Sequence, residues 1–198
     1  ARRTPRFDRM RTVSLMGQTT EIDAVDTNLA QATYNAVQHL LAVGYRRIAL
    51  IEHPHSPAQR GYDRAIGKGE LPDVAGLVQT VGNDAVSVGR AIDEMVALPE
   101  PPDALIVVSL AATPLALRSL GRRGIAIGRK LGFVGTEGSR GEWGDLLNPG
   151  LTAIRVPGYE IGAAGARRLL ERLAGDTTAP QRLEFPSELV IRESTPGR

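Results

Sequence analysis

The sequence contains no cysteine, which excludes disulfide bonds, thiolate metal sites and thiol nucleophiles. It also has no apolar run of about 20 residues, the length that a transmembrane helix needs, and no recognisable signal peptide. Lysine and arginine together number 24 against 22 acidic residues, and this near balance does not form the basic stripe that is typical of nucleic-acid binding. These absences fit a cytoplasmic protein without membrane contact.

Motifs that carry catalysis or bind cofactors are missing as well. No strand is followed by a phosphate-binding or dinucleotide-binding glycine motif, and no serine lies in a G-x-S-x-G turn. Glu52, His53 and His55 have side chains that bind metals, but their spacing does not match one helix face. Glu137 with Glu142 or Asp145 could form a carboxylate pair of the glycosidase type, but all three lie on one glycine-rich loop, where a fixed separation is not expected. We therefore expect no metal, no cofactor and no enzymatic activity.

What the sequence does contain is a regular alternation of strands and helices. Segments such as 46–52 and 103–109 have a continuous apolar centre, which is typical of strands that are buried on both faces. Segments such as 26–44 and 83–98 repeat apolar residues at helical spacing between a polar cap and a terminating glycine or proline. The alternation predicts an α/β fold with a parallel sheet and helices on both faces.

Polar residues follow four of the predicted strands, in the loops 53–60, 82–84, 109–112 and 136–140. In open parallel sheets, ligands bind beyond the carboxyl ends of the strands. We therefore expect a small-molecule site that is lined by His55, Arg60, Asp84, Ser109 and Glu137.

Each polar group of this site has an expected role. Asp84 and Glu137 would accept hydrogen bonds from hydroxyl or amino groups of a ligand, and Ser109 would make a neutral hydroxyl contact. Arg60 has two interpretations, since it could contact the ligand or neutralise one of the two carboxylates. The hypothesis is that a small polar metabolite, neutral or cationic, binds in preference to an anion.

Several segments, in order and with their spacing, resemble the LacI/GalR family of transcriptional regulators. The similarity covers nearly the whole chain, from about residue 11 to residue 195. Segment 26–51 is similar to the family's Asp-Asn, alanine-rich helix and Gly-His-Arg-Arg-Ile-Ala pattern, and FVGTE at 133–137 to its V-G-F/Y-D strand end. The other similar segments are 101–124, 148–175 and the terminal ELVIREST at 188–195.

The resemblance implies a periplasmic-binding-protein-like fold with two α/β lobes. It implies that residues 1–21 are a remnant of the N-terminal lobe and that residues 22–136 form the C-terminal lobe. Residues 137–180 would cross back to the N-terminal lobe, and residues 181–198 would return to the C-terminal one. The C-terminal lobe would be complete and the N-terminal lobe only partly present, with a helix-turn-helix headpiece upstream.

The resemblance also implies how such a protein works. A small polar, sugar-like effector would change the angle between the lobes and thereby the spacing of two headpieces on DNA. The chain itself would contact DNA only through the absent headpiece. A homodimer is implied through the helix around residues 113–120, where Leu115, Leu117 and Leu120 offer apolar surface.

The family's effector contacts are replaced at several positions. Arg60 directly precedes Gly61 where R-x-x-G is expected, and Ser109-Leu110 stands in place of Asn-Asp. Asp84 takes the place of an aromatic residue, and Glu137 that of an aspartate. These departures predict either an unusual effector, such as an amine-bearing one, or the loss of effector binding.

Two other functions stay open at this point. A solute-binding protein of an ABC transporter would share the fold and would carry a signal peptide. A sugar-processing enzyme is the third possibility, and a turnover screen would reveal it. The terminal ELVIREST favours the regulator.

Overall fold

A computed structural model of the chain describes residues 12–17, 19, 21–139 and 142–198. Arg11 and Arg140, which end two of the predicted segments, lie outside these residues. The chain divides into two compact units. The small unit comprises the described part of Ala1–Asn28 together with Pro157–Pro186, and the large unit comprises Leu29–Val156 together with Ser187–Arg198.

Helices and strands alternate along most of the chain, close to the predicted positions. The strands are β1 (Val13–Leu15), β2 (Asp23–Thr27), β3 (Ile48–Glu52), β4 (Val78–Thr80), β5 (Ala104–Val108), β6 (Gly132–Glu137), β7 (Thr152–Arg155), β8 (Arg182–Phe185) and β9 (Glu188–Val190). The helices are α1 (Leu29–Ala42), α2 (Ala58–Gly67), α3 (Ala85–Val96), α4 (Ala112–Arg122), α5 (Glu142–Asp145) and α6 (Gly158–Leu173). In the part of the chain that the structure describes, no helix is both long and apolar enough to cross a membrane.

The large unit is built on a six-stranded sheet with the strand order β4-β3-β5-β6-β7-β9. All neighbouring pairs are parallel except β7 and β9. Along β3, Ile48 and Leu50 pack in the core with α1 and α2, whereas Ala49 and Ile51 pack in the core with α3 and α4. A strand that is covered on both faces needs apolar residues at every position, which explains the continuous runs. The predicted parallel sheet with helices on both faces is confirmed.

Helices α1 and α2 pack very closely on one face of this sheet. Tyr34, Val37 and Leu40 lie on the buried side of α1. Opposite them α2 presents Gly61, and a Cβ built at that position would lie 1.9 Å from the carbonyl oxygen of Ala30. Only a residue without a side chain permits this approach of the two helices.

The small unit contains a three-stranded parallel sheet with the order β1-β2-β8, and α6 packs against β1 and β2. An ion pair joins α6 to β2, since Nε of Arg172 lies 2.6 Å from Oδ2 of Asp23. Both side chains are fully buried, and Nε of Arg168 lies 3.0 Å from the other carboxylate oxygen. Asp23 therefore occupies a core position because an arginine far along the chain compensates its charge.

The unit boundaries differ from those predicted at residues 21, 136 and 180. Residues 23–27, which include the start of the predicted helical segment 26–44, instead form β2, which pairs with β1 and β8. Residues 137–156 stay in the large unit because β7 pairs with β6, and residues 181–186 stay in the small unit because β8 pairs with β2. That the two units correspond to the two lobes stays a prediction.

The end of the chain is part of the core of the large unit. The hydroxyl of Ser194 donates to the carbonyl oxygen of Phe133 over 2.6 Å and accepts from the amide of Thr152. The hydroxyl of Thr195 lies 2.8 Å from that of Thr152 and 2.8 Å from Nε2 of His39. These bonds tie the tail to β6, β7 and α1 in the large unit.

Candidate ligand site at the carboxyl edge of the sheet

The four predicted loops lie at one edge of the large unit. β4, β3, β5 and β6 are parallel neighbours, so their carboxyl ends meet at that edge. The loops after β4 and β5 touch each other, because the hydroxyl of Ser109 donates to the amide oxygen of Asn83 over 3.3 Å. The predicted juxtaposition is therefore present, while a ligand role for these side chains stays a prediction.

Asp84 begins helix α3 as its N-cap. Its Oδ1 accepts from the amides of Val86 and Ser87, each over 2.9 Å, and its Oδ2 accepts from the Ser87 hydroxyl over 2.7 Å. The bonds from Ser87 lower the pKa of Asp84 below its ordinary value, so the group is a carboxylate at neutral pH. Asp84 is exposed, but its oxygens already serve the helix.

Ser109 has a similar local task at the start of α4. Its hydroxyl accepts from the amide of Ala112 over 3.1 Å while it donates to Asn83. Beside it Leu110 is exposed, as is Val86 in the first turn of α3. The edge therefore offers a hydroxyl and an amide, flanked by apolar side chains.

His55 lies in the turn that joins β3 to α2, and Arg60 lies in the first turn of α2. Both are exposed, and His55 has a φ of 66°, which is uncommon for residues other than glycine. Within the residues that the structure describes, Arg60 forms no ion pair with a carboxylate. Glu137 pairs with Arg155 and Arg192 instead, and both interpretations of Arg60 stay predictions.

Glu137 is fully buried and neutralised by two arginines. Nε and Nη2 of Arg155 each lie 3.0 Å from Oε1 of Glu137, and Nη2 of Arg192 lies 3.3 Å from the same oxygen. Arg192 also binds Asp145 and donates to the carbonyl oxygen of Leu151 over 2.6 Å. The predicted acceptor for a ligand is thus part of an internal network that joins β6, β7 and the tail.

Sequence reasoning missed Arg155 and Arg192, although a signal for one of them existed. Arg155 ends β7 directly opposite Glu137 in the register of β6 and β7, and opposite charges in such cross-strand positions stabilise a sheet. Recognising this pair requires the strand register, which the chain alone does not provide. Arg192 lies in the tail, and no local pattern connects it with Glu137.

Glu52 is a further buried carboxylate, at the end of β3. Its side chain is of a type that binds metals, as are those of His53 and His55, but its Oε2 accepts from the amide of Gln59 in α2 over 3.0 Å. Burial raises the pKa of Glu52. Across the described ranges, no group of three or more metal-binding side chains is placed to hold an ion. Glu52 therefore fixes the turn between β3 and α2.

The sequence matches the model of the periplasmic binding protein-like domain over residues 37–195. Among curated proteins, it is 31% identical over 180 residues to the HTH-type transcriptional regulator PtxS of Pseudomonas plecoglossicida, covering 90% of this chain and 52% of that protein. It is 31% identical over 168 residues to the ribose operon repressor of Halalkalibacterium halodurans, covering 82% and 49%. The chain thus spans about half the length of the curated relatives it matches.

Solved structures show the same relationship. The transcriptional regulator CelR in complex with cellobiose superposes with a TM-score of 0.79 at 26% identity, over 92% of this chain and 58% of that one. A LacI family transcriptional regulator from Mycobacterium smegmatis gives a TM-score of 0.76 at 27% identity, over 88% and 66%. These relatives are regulators, which agrees with the expectation that the chain is not an enzyme. The chain therefore belongs to the periplasmic binding protein-like domain family, and within it to the effector-binding domains of LacI-family transcriptional regulators.

Proposed function

We propose that the chain binds a small, neutral, sugar-like effector and belongs to a longer regulator that binds DNA through a helix-turn-helix segment outside this chain. The observation that carries the proposal is the contact between Ser109 and Asn83 at the carboxyl edge of the sheet. It places a hydroxyl and an amide, both hydrogen-bonding groups for sugars, where ligands bind in parallel sheets. CelR, which shares the fold, is described with bound cellobiose.

The charges at this edge favour a neutral ligand over a cation. Glu137 is neutralised by Arg155 and Arg192, so it does not attract a cation. Asp84 lies at the N-terminus of α3, where the helix dipole favours its negative charge. Two guanidinium groups already balance the charge of Glu137, whose Oε1 takes both contacts while its buried Oε2 accepts no hydrogen bond from the described residues. Hydroxyl groups are the chemistry that Asn83 and Ser109 fit.

Isothermal titration calorimetry with a panel of neutral sugars, including cellobiose and ribose, tests this proposal. At least one sugar is expected to bind, and Asn83→Ala is expected to weaken it about fivefold, since a lost hydrogen bond costs about 1 kcal/mol. Ser109→Ala should have a similar effect. Asn35→Ala on α1 is the matched control, because Asn35 is exposed and its side chain bonds to Gln31 in the same helix.

The roles of Asp84 can be separated in the same experiment. Asp84→Ser keeps a capping side chain but removes the charge, whereas Asp84→Ala removes both. If Asp84 only caps α3, the serine variant binds sugar as the parent does. Unchanged affinity in Asn83→Ala and Ser109→Ala, or binding of amines alone, would contradict the proposal.

We further propose that the regulator is a homodimer. A surface cavity of about 690 Å³ lies between the end of α4 and the segments 125–129 and 147–149. Leu117 lines it and is half-buried, and the neighbouring Leu146 is 84% exposed. Leu120, predicted to add to this surface, is fully buried in the core instead, because it lies on the side of α4 that faces the sheet.

Leu146→Glu is expected to weaken self-association at least tenfold, since burying a charge at an apolar interface is unfavourable. Analytical ultracentrifugation measures the dissociation constant directly. Val86→Glu is the control, because Val86 is as exposed as Leu146 but lies at the other edge of the sheet. A monomeric parent chain, or equal weakening by both substitutions, would refute this interface.

We place the regulator in the cytoplasm, where it would have access to DNA. The relatives described above are transcriptional regulators, which supports this function over the solute-binding and enzymatic alternatives.

A further inference from the structure

A second cavity lies at the opposite edge of the large unit. Its volume is about 250 Å³. It opens beside Pro101 and Pro102, which precede β5, and beside Lys130 and Leu131, which precede β6. The amino ends of the parallel strands therefore border it, whereas the candidate effector site lies at their carboxyl ends.

The wall of this cavity is apolar and largely buried. α3 contributes Ile92, Met95 and Val96, and the sheet contributes Leu105. Leu120 and Ile125 close the side next to α4. Dry cavities of about 150 Å³ with such walls bind molecules of the size of benzene, so this one has room for a longer apolar group.

Among the described residues that line this cavity, Lys130 alone is charged. In the described part of the chain its ammonium group forms no ion pair, and Lys130 is exposed at the mouth of the cavity. Glu137, the nearest acidic residue in the sequence, is paired with Arg155 and Arg192. Asp103, just before β5, accepts from the amides of Arg46 and Arg47. The site thus combines an apolar interior with one unpaired cation at its entrance.

We propose that this cavity is a separate binding site for a short aliphatic carboxylate. The alkyl chain would fill the space beside Ile92, Met95 and Leu105, and the carboxylate would lie next to the ammonium group of Lys130. An uncharged alkane would leave the cation without a partner, and an alkylammonium ion would repel it. The proposal is independent of the effector site.

Octanoate is the probe, and the thermal midpoint of the chain is the first measurement. At about tenfold excess over its dissociation constant, octanoate is expected to raise the midpoint by about 3–6 °C, because it binds only the folded chain. Calorimetry should then give a saturable one-site isotherm. Octylamine at the same concentration is expected to bind at least fivefold more weakly, and 1-octanol should lie between the two.

Two substitutions locate the site. Lys130→Gln should weaken octanoate about threefold to fivefold while leaving 1-octanol unchanged, and Lys68→Gln, at the other lysine, should change neither. Val96→Phe fills the cavity from its half-buried side and should abolish both ligands; Ile125→Phe replaces it if that variant does not fold. Non-saturable binding, equal affinity for octylamine, or unchanged binding in a folded phenylalanine variant would overturn the proposal.

Discussion

Gly61→Ala is expected to destabilise the large unit by about 3 kcal/mol or more. The added methyl group would lie 1.9 Å from the carbonyl oxygen of Ala30 and 2.9 Å from the amide nitrogen of Tyr34. Both neighbours belong to backbone, so no flexible side chain can move aside. α1 and α2 must separate, and the core around Val37 and Tyr62 then loses packing.

Gly67→Ala in the same helix provides the matched control. A Cβ at Gly67 meets no atom within 4 Å, and alanine is the better helix former by up to about 1 kcal/mol. We therefore expect this variant to be neutral or slightly more stable. Hydrogen–deuterium exchange, followed on peptides of α1 and β3, measures both effects. Similar protection in the two variants would show that α1 and α2 are not closely packed at Gly61.

Arg172→Met is expected to destabilise the small unit by about 3–5 kcal/mol. It leaves Asp23 buried beside Arg168 alone, and the carbonyl oxygens of Asp176 and Thr178 lose their donor. Arg167→Met on the exposed side of α6 is the control, with an expected change within about 0.5 kcal/mol. The double substitution Asp23→Leu with Arg172→Met should recover part of the loss, because the buried carboxylate is removed with its partner and Arg168 keeps Glu171 and Asp176. Exchange protection of β2 and β8 reports the result.

The same ion pair sets the response to acid. Burial by itself raises the pKa of Asp23, but hydrogen bonds from Arg172, the amide of Gln181 and Arg168 outweigh it, so the folded-state pKa lies below the ordinary value. The stabilisation is therefore present above about pH 4, the value of the unfolded chain, and is lost as the pH falls through the folded-state pKa. In Arg172→Met this loss should begin at a higher pH. An unchanged acid profile would mean that Asp23 is not ionised in the folded chain.

Local patterns predicted most of the fold but not the small unit's central strand. β3 and β5 are recognisable because every residue is apolar, apart from Glu52 at the end of β3, and both faces are covered. β2 carries Asp23 and Asp26, which look like loop or capping residues until Arg172 and Arg182 are placed beside them. Charges that are compensated from 149 or 156 residues away leave no periodicity to detect.

For the candidate site, too, the local sequence predicts some features, while others depend on residues far along the chain. The capping role of Asp84 follows from its position directly before a helix and needs only the residues up to Ser87. The edge on which Asp84, Ser109 and Glu137 lie follows from the parallel strands. The buried state of Glu137 does not, because it depends on Arg155 across the sheet and on Arg192 in the tail.

The late position of the tail has a consequence for synthesis on the ribosome. β8 completes the sheet of the small unit and β9 that of the large unit, and the hydroxyl groups of Ser194 and Thr195 reach the core only after both. Translation proceeds at about 5–20 residues per second. The edge of β7 that pairs with β9 therefore stays unpaired while α6 is synthesised. During that interval the nascent chain exposes the kind of strand edge that chaperones protect from aggregation.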